Sequence, residues 1–276
     1  MFIFFPWNTD APIYHWPFAT VSLIATNALV FASYFTAQDN EAVLAWTLWI
    51  GQGLHPLQWV SSNFVHGDIG HLLGNMLFLW IFGLIVEGKV GFLRFVALYF
   101  GIGVTQCALE QAMTLGMTEN YSFGASSIVY GLMAISLIWA PKNDIHFVGA
   151  FSFGFRGGVS EFDVPIMWLA IFYVGMDLVV ATFTGFELQT AVLHLMGATL
   201  GFIVGWIMLK FELVDCEGWD IISVWHGREG RTSLDDKIEP LTADEINQRD
   251  QREADAAQQK IAQLIAQKQG RLAALF

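Results

Sequence analysis

Charge is what this chain has least of: only 14% of its 276 residues are Asp, Glu, Lys or Arg, while 55% are hydrophobic. An average soluble domain carries about 25% charged residues. A water-facing protein of this length needs a charged surface, so scarcity on this scale excludes an ordinary soluble globule. Cysteine is nearly missing as well. Cys107 and Cys216 lie far apart and belong to no CxxC or metal-ligand spacing, so neither a disulfide framework nor a zinc site is read. No HExxH occurs, and His66 and His71, five residues apart, do not share a helix face, which removes the metalloprotease reading. The N-terminal stretch lacks a basic region and carries Pro6, Pro12 and Pro17, so it reads as no cleavable leader. No nucleic acid is expected as a partner, but the net charge of -12 falls mostly in loops and the tail, so nothing about partners is read from the total.

What fills the space is apolar sequence in long windows. Six windows, near 17–37, 69–86, 92–113, 124–140, 164–184 and 188–211, approach the roughly 20 helical residues that cross about 30 Å of hydrocarbon. The expected fold class is therefore an all-α membrane protein: a six-transmembrane-helix core over 17–211 in a lipid bilayer. Residues 1–16, with Trp7, Tyr14 and Trp16, are expected to lie at the interface. The Trp-rich segment 38–68 is too broken by Gly and Pro for a span and also reads as interfacial. Residues 141–163 alternate weakly around a Gly pair and predict a hairpin. The acidic tail 212–276 contains a capping box at Thr242 to Glu245. Apolar residues at helical spacing follow it, predicting an amphipathic helix over about 243–273.

Cation placement gives orientation. Lys89 and Arg94 fall at one turn, Lys142 and Arg156 between the fourth and fifth windows, and the other nine of the 13 run from Lys210 to Arg271. The remaining connections have none. Cytoplasmic loops collect Lys and Arg, so both termini are expected in the cytoplasm and the tail in the cytosol.

Polar side chains within a span are costly and carry a functional hypothesis by default. His71 and Asn75 sit one turn apart at the start of the second window, Ser126 and Ser127 follow Gly124 at the start of the fourth, and His194 lies two turns into the sixth. The second, fourth and sixth windows run in the same direction, so these groups reach similar depth. Taken singly, a serine beside Gly124 and Ala125 reads as a small residue for close packing. A lone histidine reads as a structural group or proton relay. Gly197, Gly201 and Gly205 make overlapping GxxxG steps whose primary meaning is tight packing of the last helix on a neighbour. Asp177 reads as a structural hydrogen-bonding group.

Together the motifs resemble the rhomboid family of intramembrane serine proteases. His66, His71 and Asn75 resemble its paired histidines and asparagine. Gly124, Ser126 and Tyr130 resemble its GxSG nucleophile motif and downstream tyrosine, and His194 with Gly197 and Gly201 resembles its HxxGxxxG. The resemblance covers the six windows in order and is to the family's six-span bacterial form. It implies a Ser126–His194 dyad, an oxyanion site of His71 and Asn75, and support from Tyr130, Gly124 and His66. It implies transmembrane protein substrates, cleavage near the outer face, no cofactor, no metal and a bacterial inner membrane. One position departs: Ser127 stands where the motif has glycine. Two other classes stay open, an inactive rhomboid-like binder of membrane helices and a small proton-coupled transporter. No inverted repeat or paired carboxylates favour the latter. Oligomeric state is not legible.

Overall fold

The computed structural model describes residues 2–37, 40–153, 156–187 and 189–230. The predicted tail helix lies outside the described residues. In chain order the elements are strand β1 (Phe2–Thr9), helix α1 (Phe18–Ala37), α2 (Asn40–Trp46), β2 (Leu48–Ile50) and α3 (Gln58–Ser61), followed by a 3-10 turn (Ser62–Phe64). Then come α4 (Ile69–Val90), α5 (Phe92–Met113), β3 (Asn120–Ser122), α6 (Ser126–Trp139), β4 (Asp144–Phe153), β5 (Arg156–Pro165), α7 (Ile166–Phe183), α8 (Thr190–Lys210) and α9 (Ile221–Trp225).

Five of these helices, α1, α4, α5, α7 and α8, are long and apolar enough to cross a membrane. The fourth window forms a shorter apolar helix: α6 has 14 residues, about 21 Å at 1.5 Å per residue. Position explains its composition. Side chains all round α6 are buried, from Ile128 and Leu132 to Ile135 and Trp139, which is the pattern of a helix enclosed by others. The outer helices turn apolar side chains outward instead. In α7 only Ile166, Ala170, Asp177 and Ala181 are buried, a single stripe, while Trp168, Phe172, Val179 and Phe183 are exposed. Such a surface suits lipid and would be a sticky patch in water. The protein is a multi-pass integral membrane protein.

The class is mostly helical rather than all-α, because the flanking polar segments pair as strands. The weakly alternating 141–163 region forms the β4–β5 hairpin, and β1 adds antiparallel to β4. The N-terminal stretch, read as an interfacial segment, is thus an edge strand of a three-stranded sheet. Pro6 is tolerated there, since the register shifts between Pro6 and Asn8 and an edge strand can lose a donor. A second ribbon pairs β2 with β3, Trp49 opposite Tyr121, joining the 38–68 segment to the stretch just ahead of Ser126.

Two buried polar contacts hold the helices in place. The Glu87 carboxylate in α4 accepts from the Ala19 and Thr20 backbone N–H groups at 2.8 and 2.7 Å and from the Thr20 hydroxyl at 2.7 Å, capping α1 from a neighbouring helix. The Trp139 indole donates to the Gly205 carbonyl at 3.0 Å, tying α6 to α8.

Candidate active site

The site begins where α4 starts. Asp68, extended at φ -153°, caps that helix by accepting from the His71 backbone N–H at 2.9 Å, which fixes the entry of His71 into the first turn. Asn75 lies one turn deeper, and its amide donates to the His71 carbonyl at 3.2 Å. One amide hydrogen and the side-chain oxygen remain for other partners. His66 precedes the helix, with its ring centroid 5.0 Å from that of His71, edge to face. The Tyr34 hydroxyl donates to the His66 carbonyl at 2.6 Å and accepts from its N–H at 2.9 Å. Burial, aided by His71 and partly offset by the Phe64 backbone, lowers the His66 pKa to about 4. His66 is therefore a neutral group packed against His71 at ordinary pH.

The start of α6 supplies the second part. Gly124 adopts φ +117°, and a Cβ there would stand 2.9 Å from His71 Cε1 and 3.0 Å from its Nε2. Only glycine accepts both the backbone conformation and the imidazole laid against it. Its N–H donates to the Ser62 carbonyl at 2.9 Å, and Ser126 then opens the helix. The first-turn N–H groups have no intrahelical acceptor, so the helix end favours negative charge beside the Ser126 hydroxyl.

The third part arrives with α8. A Cβ on Gly197 would stand 2.0 Å from the Ser127 carbonyl oxygen, and one on Gly201 2.0 Å from that of Gly131. The two backbones therefore touch, as the GxxxG spacing predicts. That contact delivers His194, three residues before Gly197, to the face of Tyr130, with ring centroids 4.2 Å apart and planes inclined by 15°. His194 Nδ1 meets Asp177 Oδ2 at 2.9 Å. Its other nitrogen, Nε2, makes no hydrogen bond among the described residues.

Two cavities flank the start of α6. One, of about 260 Å³, is lined by Ser126 and His194 together with His71, Asn75, Tyr130 and apolar groups including Phe78, Met133 and Tyr173. The other, of about 340 Å³, is more polar and shares Ser126 and His71 with the first. Ser127 is buried and lines only the second cavity, so Ser126 is the serine that shares a cavity with His194.

The structure thus brings Ser126, His194, His71, Asn75, Tyr130 and Gly124 together around the start of α6, with His66 against the His71 ring. Sequence reasoning assigned no site role to Asp177. A signal existed: it is the one Asp, Glu, Lys, Arg or His of α7 and falls on that helix's one buried stripe. A carboxylate buried in a span needs a partner, and His194 is the residue it meets.

A family model described as the Rhomboid domain matches residues 54–211, more than half of the chain. Among curated proteins, the chain is 31% identical over 163 residues to Rhomboid-like protein 11, chloroplastic, of Arabidopsis thaliana, covering 56% of this chain and 53% of the relative. It is 39% identical over 74 residues to RHOMBOID-like protein 4 of the same plant, covering 27% of this chain and 18% of the relative. RHOMBOID-like protein 5, also from Arabidopsis thaliana, is 35% identical over 78 residues, 28% of this chain and 25% of the relative. The chain spans about half the length of the first of these and less of the others.

Proposed function

This chain belongs to the rhomboid family, and from that premise we propose that it is an intramembrane serine endopeptidase that cuts transmembrane helices of other proteins near the outer membrane face. The observation that carries the reading is the setting of His194. Its ring is held between Tyr130 and Asp177, with Nε2 unpaired, and it lines one cavity with Ser126.

In the proposed reaction, His194 Nε2 takes the Ser126 hydroxyl proton as the oxygen attacks a peptide carbonyl. The resulting oxyanion is met by the Ser126 backbone N–H, the Asn75 amide and the His71 imidazole. The C–N bond then breaks as His194 returns the proton to the leaving amine, leaving an acyl ester on Ser126. Water, activated by the same imidazole, hydrolyses the ester and restores the hydroxyl. Asp177 at Nδ1 fixes the tautomer and steadies the imidazolium. Because helical backbone hides its carbonyls, the substrate must unwind locally, which favours helix-breaking residues near the cut.

The reading includes a six-span core with α6 as the short fourth span, both termini in the cytoplasm and a bacterial inner membrane as the location. An inactive binder of membrane helices is the alternative, and the presence of both Ser126 and His194 argues against it. The deciding experiment uses purified protein in detergent with a reporter transmembrane helix and a fluorophosphonate probe. Cleavage, a label mapping to Ser126 and loss of both in Ser126→Ala are expected, with activity unchanged by a chelator. Full activity in Ser126→Ala would overturn the assignment, and an unlabelled, inactive protein would favour the binder.

A further inference from the structure

The second cavity beside Ser126 differs in kind from the first. Its wall includes Glu110 and Gln106 of α5, both almost fully buried, together with Ser122, Asp68 and Ser62. Among the described residues no lysine or arginine lines it. The two carboxylates are not equivalent. Asp68 is engaged as the cap of α4. Glu110 Oε2 accepts from the Gln106 amide at 2.8 Å, and Ser122 also reaches Glu110. Neutral donors hold this buried carboxylate, and no cationic side chain pairs with it among the described residues. Nor is a cation near in sequence at this end of the bundle: residues 40–68, 114–125 and 184–190 contain neither Lys nor Arg. A buried carboxylate without a counter-charge is costly, so a cation entering the cavity would be drawn to it.

Resting on the protease reading, we infer that this cavity receives a basic side chain, lysine or arginine, of the substrate residue on one side of the scissile bond, with Glu110 as its counter-charge. The shared lining carries the placement. Ser126 and His71 border both cavities, so a carbonyl presented to Ser126 has one cavity to either side. The first cavity, walled by Phe78, Phe82, Met133 and Tyr173, suits an apolar residue. The second has the room, about 340 Å³, and the charge for a long cationic one. Tyr121 and Phe123, stacked with ring centroids 6.1 Å apart, also line it and suit the aliphatic stem of such a side chain. The recognised element is then a basic residue and an apolar residue flanking the cut.

The test uses the purified full chain and a ladder of reporter helices carrying Lys, Arg, Gln, Leu or Glu at each position bordering the cut. Cleavage sites are read by mass spectrometry and rates as kcat/KM. At one of the two positions Lys and Arg should exceed Gln by at least about tenfold, with Glu slowest. Glu110→Gln should bring the Lys-to-Gln ratio close to one. Equal rates for Lys and Gln in the unaltered protein would overturn the inference while leaving the protease reading intact, and would leave the cavity to water alone. A Lys-to-Gln ratio unchanged in Glu110→Gln overturns the role of Glu110. If that variant does not fold, the unaltered protein's ladder decides. Failure of all reporters with no fluorophosphonate label on Ser126 overturns the protease reading, and this inference with it.

Discussion

Asp177 and His194 meet at 2.9 Å, carboxylate oxygen to Nδ1, across the contact between α7 and α8. Each side chain is largely buried. The contact makes a carboxylate the partner of the proposed base, so in the proposed mechanism Ser126 and His194 would gain a third member that favours a proton on Nδ1.

Asp177→Asn keeps the shape and removes the charge. We expect kcat to fall about tenfold or more with KM little changed, since the loss is felt when the imidazolium forms. Fluorophosphonate labelling of Ser126 should slow in parallel. A variant as fast as the parent would reduce Asp177 to packing.

The backbone contact of α6 with α8 predicts a steep cost for added bulk. A methyl at residue 201 would stand 2.0 Å from the Gly131 carbonyl oxygen, so Gly201→Ala must part the two helices. Destabilisation of about 1–3 kcal/mol is expected, read as a lower Tm in detergent. Cleavage should fall as well, because His194 rides on the displaced helix. An unshifted Tm would show that the helices are free to separate.

Glu87→Ala removes the acceptor for two backbone donors and one hydroxyl at the start of α1. Stranding buried donors costs about 1–3 kcal/mol for each group left unpaired. The expected signature is a lowered Tm with Ser126 still labelled at low temperature, because α1 carries none of the reacting groups. Equal losses of stability and labelling would mean that α1 shapes the site.

Acid should destabilise the fold through His66. Its pKa of about 4 in the folded state lies below the ordinary 6.5. Between those values the unfolded chain binds a proton that the folded chain refuses. The stabilising contribution is complete above about pH 6.5 and is lost as pH falls toward about 4. Tm in detergent, followed from pH 7.5 to 4.5, should decline, and His66→Gln should flatten the slope. A flat profile in the parent would contradict the burial of a neutral ring.

Much of the site was legible because its chemistry is local in sequence. His71 and Asn75 share a helix face by spacing alone, Tyr130 follows Ser126 by one turn, and the glycines of α8 announce a close neighbour. What escaped depends on distant pairing. Asp177 finds His194 only when α7 folds back on α8. Strand β1 finds its partner more than 130 residues away, Phe2 opposite Phe151, so nothing near the N-terminus announces an edge strand. Glu87 stands two residues from Lys89 at a helix end, and its partner in α1 becomes visible only when Thr20 is placed beside it. The brevity of α6 was hidden because Gly124 and Ala125 are as apolar as a span, and only the positive φ of Gly124 shows that the helix has not yet begun.

The touching backbones of α6 and α8 also decide how the proposed chemistry answers to its solvent. A bilayer that thins or thickens tilts the helices it surrounds. Helices separated by long side chains can slide during such tilting, whereas two main chains in contact at residues 127, 131, 197 and 201 rock as a single strut. Nucleophile and base then keep their mutual spacing from one lipid composition to the next. Sensitivity to the membrane falls instead on α7, which carries Asp177 and offers most of its surface to the acyl chains.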